Sequence, residues 1–189
     1  MNFKTTFLAL SMFACTSRSE EIVVRIYNQE TDEQKVSTFL SSLPEVKCTP
    51  AQTKNGTSCC DPFWIAKALI SSSGTATYLA QHGEKITGVM IIDYEPEGPP
   101  ANGGNHEAEI SHLLINPKLI SKDVIAHMML QYAINHEHKA HTLKWRHSST
   151  SDAKKSPSFY NNAHTFISFA FKKEDQYGME DIYSLHIVS

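Results

Sequence analysis

Residues able to transfer protons lie on both sides of a connection rich in proline and glycine, residues 95–105. Glu107 and Glu109 follow it at the start of a predicted strand, Asp93 precedes it, and Glu95 and Glu97 lie within it. A carboxylate in this position can accept the proton of an ammonium group or attract a cationic substrate. The same charges also fit a solvated acidic rim, and the residue types alone leave both readings open.

Histidines form a second group near the end of a predicted helix, at His136, His138 and His141. His136 and His138 could bind a metal, but no cysteine or aspartate completes a tetrahedral set. Imidazolium is also stabilised at a helix C-terminus by the helix dipole, and we favour that role without a metal. The vicinal pair Cys59-Cys60 has no base implied nearby, so a thiol nucleophile is unsupported.

The element that joins these groups is a strand that runs through a short loop into a helix. Residues 108–115 end in an apolar run suited to a sheet interior, and Pro117 ends the strand. Ser121 is a good N-cap and Asp123 lies in the first turn. The helix it opens has one apolar face, formed by Val124, Ile125, Met128, Met129, Tyr132 and Ala133. The N–H groups of its first turn predict an anion-binding crevice at the carboxyl end of the strand.

Bulk properties exclude several classes of protein. The 189 residues suit a single domain, residues 21–189, and 41% of them are apolar. A net charge of −3 without a basic stripe argues against nucleic-acid binding. No apolar run reaches the ~18 residues of a membrane-spanning helix.

The first 20 residues read differently from the rest. One lysine is followed by a largely apolar run, residues 5–14, and then by small and polar residues, which is typical of a short signal peptide. A packed or disordered extension of a cytosolic protein is the alternative, so the protein is either secreted or cytoplasmic. Cys48, Cys59 and Cys60 fit one disulfide from Cys48 or three free thiols equally well. The sequon at 55–57 has meaning only in a eukaryotic secretory pathway.

Periodicity predicts the remaining elements. A strand at 21–27 precedes a helix with a capping box at Thr31 and Gln34, stopped by Pro44. Its buried face is Val36, Phe39, Leu40 and Leu43. The other predicted elements are a short helix at 62–70, a hairpin of 77–81 with 85–94, a strand at 142–146, a helical turn within 156–163, and a hairpin of 166–171 with 182–188. Together they predict a mixed α/β fold whose central sheet is buried on both faces.

The order of these elements and several local strings resemble the GNAT superfamily of N-acetyltransferases across residues 22–188. The strings are residues 78–89 for the central hairpin, Ala108-Glu109-Ile110 at the start of the fourth strand, the strand-proline-loop-helix unit and Phe159-Tyr160. The resemblance implies a mostly antiparallel sheet in which the fourth and fifth strands splay apart. It also implies that acetyl-CoA lies between them as co-substrate.

The resemblance further implies roles for individual residues. The pantetheine amides would pair with the backbone of the fourth strand, Leu113, Leu114 and Ile115. The pyrophosphate would lie on amides of the loop entering the next helix, Ser121, Lys122, Asp123 and Val124. Glu109 would be the base that deprotonates the amine, with Glu107 as a fallback, and Tyr160 the acid that protonates the CoA thiolate.

The phosphate loop departs from the family pattern. The family places an Arg or Gln there, followed by a rhythm of glycines, whereas this chain has Ile120 and then Ser121, Asp123 and Ile125. Side chains therefore crowd the approach, and Asp123 brings a negative charge to the phosphates. Lys118 and Lys122 would offset part of that charge.

The sequence therefore predicts an acyl-CoA-dependent N-acetyltransferase acting on an amine of a small molecule or a protein. The acidic residues favour a cationic acceptor. The alternative is a catalytically inactive binding module of the same fold that has lost CoA. An exported protein would reach cytosolic acetyl-CoA only if it were delivered into a host cell.

Overall fold

The computed structural model describes residues 21–44, 70, 74–94, 107–119, 121–136, 140–148, 158–178 and 180–187. The candidate signal peptide, the predicted helix at 62–70 apart from its last residue, the sequon, His138 and all four cysteines lie outside these residues. Three helices are described: α1 (Gln29–Ser42), α2 (Lys122–His136) and α3 (Ala163–Ser168). Seven strands accompany them: β1 (Ile22–Ile26), β2 (Thr75–His82), β3 (Lys85–Tyr94), β4 (Glu107–Ile115), β5 (Thr142–Ser148), β6 (Lys172–Tyr177) and β7 (Glu180–His186).

The strands form one sheet in the order β1-β2-β3-β4-β5-β7-β6. Among the described strands β4 and β5 alone pair in parallel, and all other neighbours are antiparallel. The mixed α/β class and the mostly antiparallel sheet are therefore confirmed. A parallel pair requires a crossover connection, and α2 supplies it.

The sheet is buried on both faces, as its central strand predicted. Met90 and Ile92 of β3 belong to the core on the α2 side, whereas Val89 and Ile91 pack towards α1. All four are fully buried, and each contributes about 1.5–3 kcal/mol of hydrophobic stabilisation. None of the helices in the described part of the chain is both long and apolar enough to cross a membrane.

Helix α1 has the predicted buried face but begins earlier than predicted. Val36, Phe39, Leu40 and Leu43 are all buried. The N-cap is Asn28, whose side chain accepts a hydrogen bond from Glu30 N at 3.0 Å; the predicted cap at Thr31 is wrong. The reason is Asp32, which is buried in a bidentate contact with Arg25 of β1 and also accepts from Asn28 N at 2.9 Å.

The buried face of α2 is rotated slightly from the predicted one. Ile125, Met129 and Ala133 are buried as predicted, together with Ala126 and Leu130. Val124, predicted to face the core, is 54% exposed. Periodicity alone did not distinguish the predicted face of the helix from the buried one, because apolar residues flank the buried face on both sides.

The predictions for the C-terminal third need a larger correction. Residues 166–171, predicted as a strand, contain the end of α3, and the hairpin pairs β6 with β7 instead. Of the predicted helical turn at 156–163, the described residues 158–162 are not helical, and α3 begins only at Ala163, the last residue of that range. The sequence of β6, Lys-Lys-Glu-Asp-Gln-Tyr, is polar because it is the exposed edge of the sheet, so it carries no hydrophobic signal.

Candidate active site

Strands β4 and β5 separate halfway along β4. Their parallel pairing ends at Ile110 and Trp145, after four residue pairs. Strand β4 continues to Ile115, while β5 stays paired with β7. This confirms the predicted splay, and the resulting wedge opens towards the N-terminus of α2. We call this space the β4–β5 cleft.

A bulge in β4 decides which side chains face each side of the cleft. The register against β3 shifts between Ile91 and Ile92, which leaves Ser111 as the extra residue. The Ser111 hydroxyl donates to Ile91 O at 3.2 Å. After the bulge, Leu113 faces α2, whereas His112 and Leu114 lie on the α1 side. A bulge is a usual way to redirect a side chain next to a functional site.

The protein's own backbone pairs with the edge of β4 inside the cleft. Ile115 N donates to Ser158 O at 2.9 Å, and Tyr160 N donates to Leu113 O at 2.8 Å. Leu114 and Phe159 thereby form an antiparallel bridge. We call residues 158–160 the cleft segment. It engages the same edge, Leu113 to Ile115, that was predicted to pair with pantetheine amides.

Side chains fix the cleft segment and the residues after it to both of its neighbours. The Tyr160 hydroxyl donates to Asp123 Oδ1 in the first turn of α2 and lies 2.5 Å from Thr165 Oγ1. Asn162 Nδ2 donates to the same Asp123 oxygen at 3.1 Å. On the opposite wall, Asn161 Oδ1 lies 2.7 Å from Nδ1 of His147 in β5.

These contacts shift the ionisation of Tyr160 and Asp123 in opposite directions. Burial and the hydrogen bond to Asp123 raise the pKa of Tyr160 to about 12. The hydrogen bonds from Tyr160 and Asn162 lower the pKa of Asp123. A thiol has a pKa of about 8.5, so protonation of a thiolate by Tyr160 is unfavourable while this hydrogen bond lasts. The structure therefore presents Tyr160 as an anchor of the segment in this state, and its role as an acid stays a prediction.

The predicted phosphate cradle is the first turn of α2. Ile125 N donates to Ser121 O at 3.1 Å, which is the first hydrogen bond of the helix. Lys122 is half-buried, while Asp123 and Val124 are exposed. The Asp123 carboxylate is favoured by the helix dipole at this position. It therefore already supplies the negative charge that a phosphate would bring.

The two candidate glutamates are paired with cations of β5. Glu109 Oε1 lies 2.8 Å from Arg146 Nε, and Glu107 contacts the Lys144 ammonium. These cross-strand pairs neutralise the part of the acidic rim that was predicted to favour a cationic acceptor. Glu109 lies on β4 one residue before the pairing with β5 ends, and one of its oxygens is engaged by Arg146.

His112 is a candidate that sequence reasoning missed. Its Nδ1 is buried and has no hydrogen-bond partner among the residues that the structure describes. The ring packs against Phe159 of the cleft segment with centroids 5.5 Å apart. Burial lowers the pKa of His112 below its ordinary value, opposed by the nearby Asp93 carboxylate. The available signal was a single titratable residue inside the apolar run 110–115.

No metal site emerges in the described ranges, where no three or more His, Cys, Asp or Glu side chains converge. His136 stacks on the Tyr132 ring at 3.9 Å, and its Nδ1 lies 2.8 Å from Tyr132 O. It thus lies against the last turn of α2.

Comparison with known proteins relates the fold to the GNAT N-acetyltransferases. The acetyltransferase of GNAT family from Streptococcus pneumoniae aligns with a TM-score of 0.54 at 16% identity, over 89% of this chain and 100% of its own. The aminoglycoside 6'-N-acetyltransferase from Enterococcus faecium gives 0.58 at 12% identity, over 88% and 98%. Arabidopsis thaliana NAA60 in complex with acetyl-CoA gives 0.55 at 7% identity, over 88% and 99%. No protein-family model and no curated protein matches the sequence.

The chain therefore has the GNAT acetyltransferase fold, as its sequence predicted. At these identities the likeness concerns the fold, and function has to be argued from the site.

Proposed function

We propose that the protein is an acyl-CoA-dependent N-acetyltransferase whose co-substrate enters the β4–β5 cleft by displacing the cleft segment. The observation that carries this proposal is the hydrogen bonding of the β4 edge. Leu113 O accepts a hydrogen bond from the backbone of the cleft segment, and Ile115 N donates one to it. Pantetheine contains two amides and is the kind of ligand that this edge can pair with in the same way.

Displacement has a moderate energetic cost. The two backbone hydrogen bonds contribute about 0.5–1.5 kcal/mol each, and those of Tyr160 to a carboxylate somewhat more. A total of about 3–4 kcal/mol weakens binding by roughly two to three orders of magnitude relative to an open cleft. New pairing between pantetheine and β4 offsets part of this cost. Binding is therefore possible if the hydrogen bonds between the cleft segment and β4 are exchanged for hydrogen bonds between pantetheine and β4.

The phosphates meet a second obstacle at Asp123. At an effective dielectric constant of ~20, two like charges 4 Å apart repel by about 4 kcal/mol before relaxation. Lys122 lies beside Asp123, and its positive charge lowers the pKa of Asp123 and opposes the repulsion between that carboxylate and the phosphates. Ser121, Lys122, Asp123 and Val124 would hold the pyrophosphate through their amides, and the Asp123 side chain would have to turn away.

The reaction would be a direct transfer. The amine nitrogen attacks the thioester carbonyl, the C–N bond forms, the C–S bond breaks, and CoA leaves as its thiolate. A base near the thioester must first take a proton from the ammonium form of the acceptor. The similar Enterococcus protein is named for an aminoglycoside acceptor, and an amine on a small molecule or on a protein is the acceptor class that we propose.

A binding module of the same fold is the second candidate. It is favoured by the self-occupied β4 edge and by Asp123 at the phosphate position. In that case residues 158–160 would be a permanent part of the sheet and the fold would serve another partner.

Ligand-induced stabilisation separates the two candidates. If acetyl-CoA binds with a Kd of about 10 μM, 1 mM ligand stabilises the protein by about 2.7 kcal/mol and raises Tm by roughly 5–10 °C. Acetyl-pantetheine, which lacks the nucleotide, should give a smaller shift. Release of free thiol in the presence of a panel of amines then tests transfer. No Tm shift with millimolar acetyl-CoA would overturn the proposal in favour of the binding module.

A further inference from the structure

We infer that His112 is the general base of this transfer and that Phe159 covers it until the cleft segment leaves. The inference rests on the proposed acetyltransferase function and deepens it. The deprotonation of the amine, for which Glu109 was the candidate, is thereby assigned to His112, which was not among the predicted site residues.

The position of His112 follows from the direction of β4. The proposed phosphate site lies beyond the C-terminal end of β4, at the N-terminus of α2. A pantetheine chain that pairs with Ile115 and then Leu113 runs back along β4, so its thioester reaches the strand near residues 110–112. Pairing with β5 has just ended there, at Ile110. The bulge at Ser111 then places His112 on the α1 side of that point.

The surroundings of His112 suit a base. Asp93 of β3 is the charged group that acts on the ring, and it favours the imidazolium that proton transfer creates. On its own strand Glu109 is engaged by Arg146 of β5. The residues of α1 that pack on this face are apolar. An imidazole that stays neutral at pH 7 can accept a proton, whereas Glu109 must first give up part of its contact with Arg146.

Within the described part of the chain Nδ1 of His112 has no hydrogen-bond partner, and this is an independent sign that a ligand supplies one. A buried polar atom without a hydrogen bond destabilises the folded state, and such atoms in native proteins require an explanation. Phe159 belongs to the segment that acetyl-CoA displaces, so binding of the co-substrate uncovers the imidazole. A donor such as an ammonium group would then satisfy it.

The proton balance of the step is complete. The acceptor ammonium gives one proton to His112, which passes it to solvent. The lone pair of the deprotonated acceptor nitrogen then forms the C–N bond as the C–S bond breaks. The nitrogen then loses its second proton, which neutralises the CoA thiolate. No oxidant, reductant or further reactant is needed.

The test compares His112→Gln with a matched control, His82→Gln, at an exposed position at the end of β2. We measure acetyl-CoA affinity by calorimetry, and both kcat and kcat/KM between pH 5 and 9. His112→Gln should bind acetyl-CoA within about threefold of the wild type and lose at least about 100-fold in kcat. The wild-type activity should rise with pH through a pKa below 6.5, and this limb should vanish in the variant. His82→Gln should match the wild type.

Chemical rescue separates catalysis from folding. In His112→Ala, added imidazole should restore activity, which a purely structural role does not predict. Wild-type activity in His112→Gln, or an unchanged acidic limb, would overturn the inference while leaving the proposed function intact. A wild-type protein that neither binds acetyl-CoA nor transfers its acetyl group would overturn both.

Discussion

The Tyr160 hydroxyl donates a hydrogen bond to the Asp123 carboxylate, and this contact joins the cleft segment to the first turn of α2. The resemblance had assigned the two residues to opposite ends of the co-substrate: Tyr160 to the thiolate and Asp123 to the pyrophosphate. Their direct contact means that the cleft is closed over this length by the protein itself. A nucleotide and the Tyr160–Asp123 hydrogen bond therefore compete for the same helix terminus.

The first prediction concerns this competition. Asp123→Asn removes the negative charge and weakens the bond to Tyr160, so the Kd for acetyl-CoA should fall by about tenfold or more. Tyr160→Phe keeps the charge but releases the segment, and it should also tighten binding, by a smaller factor. Calorimetric titration measures both.

Asp175→Asn, on the exposed edge strand β6, is the control and should leave the Kd unchanged. If Asp123→Asn binds acetyl-CoA no better than the wild type, the phosphates do not lie at this helix terminus. If Tyr160→Phe alone has no effect, charge repulsion rather than the segment limits binding. A loss of kcat in Tyr160→Phe, with tighter binding, would support the predicted role of Tyr160 as an acid.

The second prediction tests the packing that holds α2 on the sheet. A Cβ added at Gly88 of β3 would lie 3.0 Å from Met129 Sδ and 3.3 Å from Ile125 Cγ2. Gly88→Ala should therefore lower the free energy of unfolding by about 1–3 kcal/mol, because the side chains of Met129 and Ile125 must move by a few tenths of an ångström in a fully packed core. Urea denaturation measures the change.

Gly74→Ala is the matched control, since its nearest neighbour would be Tyr94 O at 3.9 Å. It should change stability by less than about 0.5 kcal/mol. An equal effect of the two substitutions would show that backbone entropy, and not the contact with α2, decides the result.

The third prediction concerns the buried carboxylate of Asp32. Arg25→Ala leaves this charge without its cation, and we expect a loss of about 3 kcal/mol in the free energy of unfolding. Lys35→Ala breaks an exposed ion pair with Glu84 and should cost less than about 1 kcal/mol. A cost for Arg25→Ala as small as that of Lys35→Ala would contradict the prediction.

The same pair gives a defined pH dependence. The hydrogen bond from Arg25 lowers the pKa of Asp32 below its ordinary value. A carboxyl whose pKa is lower in the folded state contributes stability above its unfolded pKa of about 3.9, and the contribution is lost as pH falls through the folded pKa. Stability should therefore drop below pH 4 in the wild type and less steeply in Arg25→Ala, as measured by urea denaturation between pH 2 and 6.

Local pattern was enough to determine much of the fold. The apolar face of α1, the two-sided burial of β3 and the strand-loop-helix unit of β4 and α2 all follow from periodicity and stop signals. Each of these features depends on residues of a single helix or strand, or of two elements that follow each other directly in the sequence. The order of such elements, together with local strings that resemble the family, also led to the prediction of the GNAT fold.

The tertiary structure decided the features that depend on distant residues. The contact of Leu114 with Phe159 spans 45 residues, and neither segment carries a local mark of it. Strand β6 is polar because its position at the edge removes the need for burial, and the apolar residues of 166–171 belong partly to α3. The partners of Glu109, Tyr160 and Asp123 are likewise set by strand register and by the approach of α2. Sequence thus determined which elements form, whereas the pairing of β4 determined which groups are engaged in the cleft and left Nδ1 of His112 without a hydrogen-bond partner among the described residues.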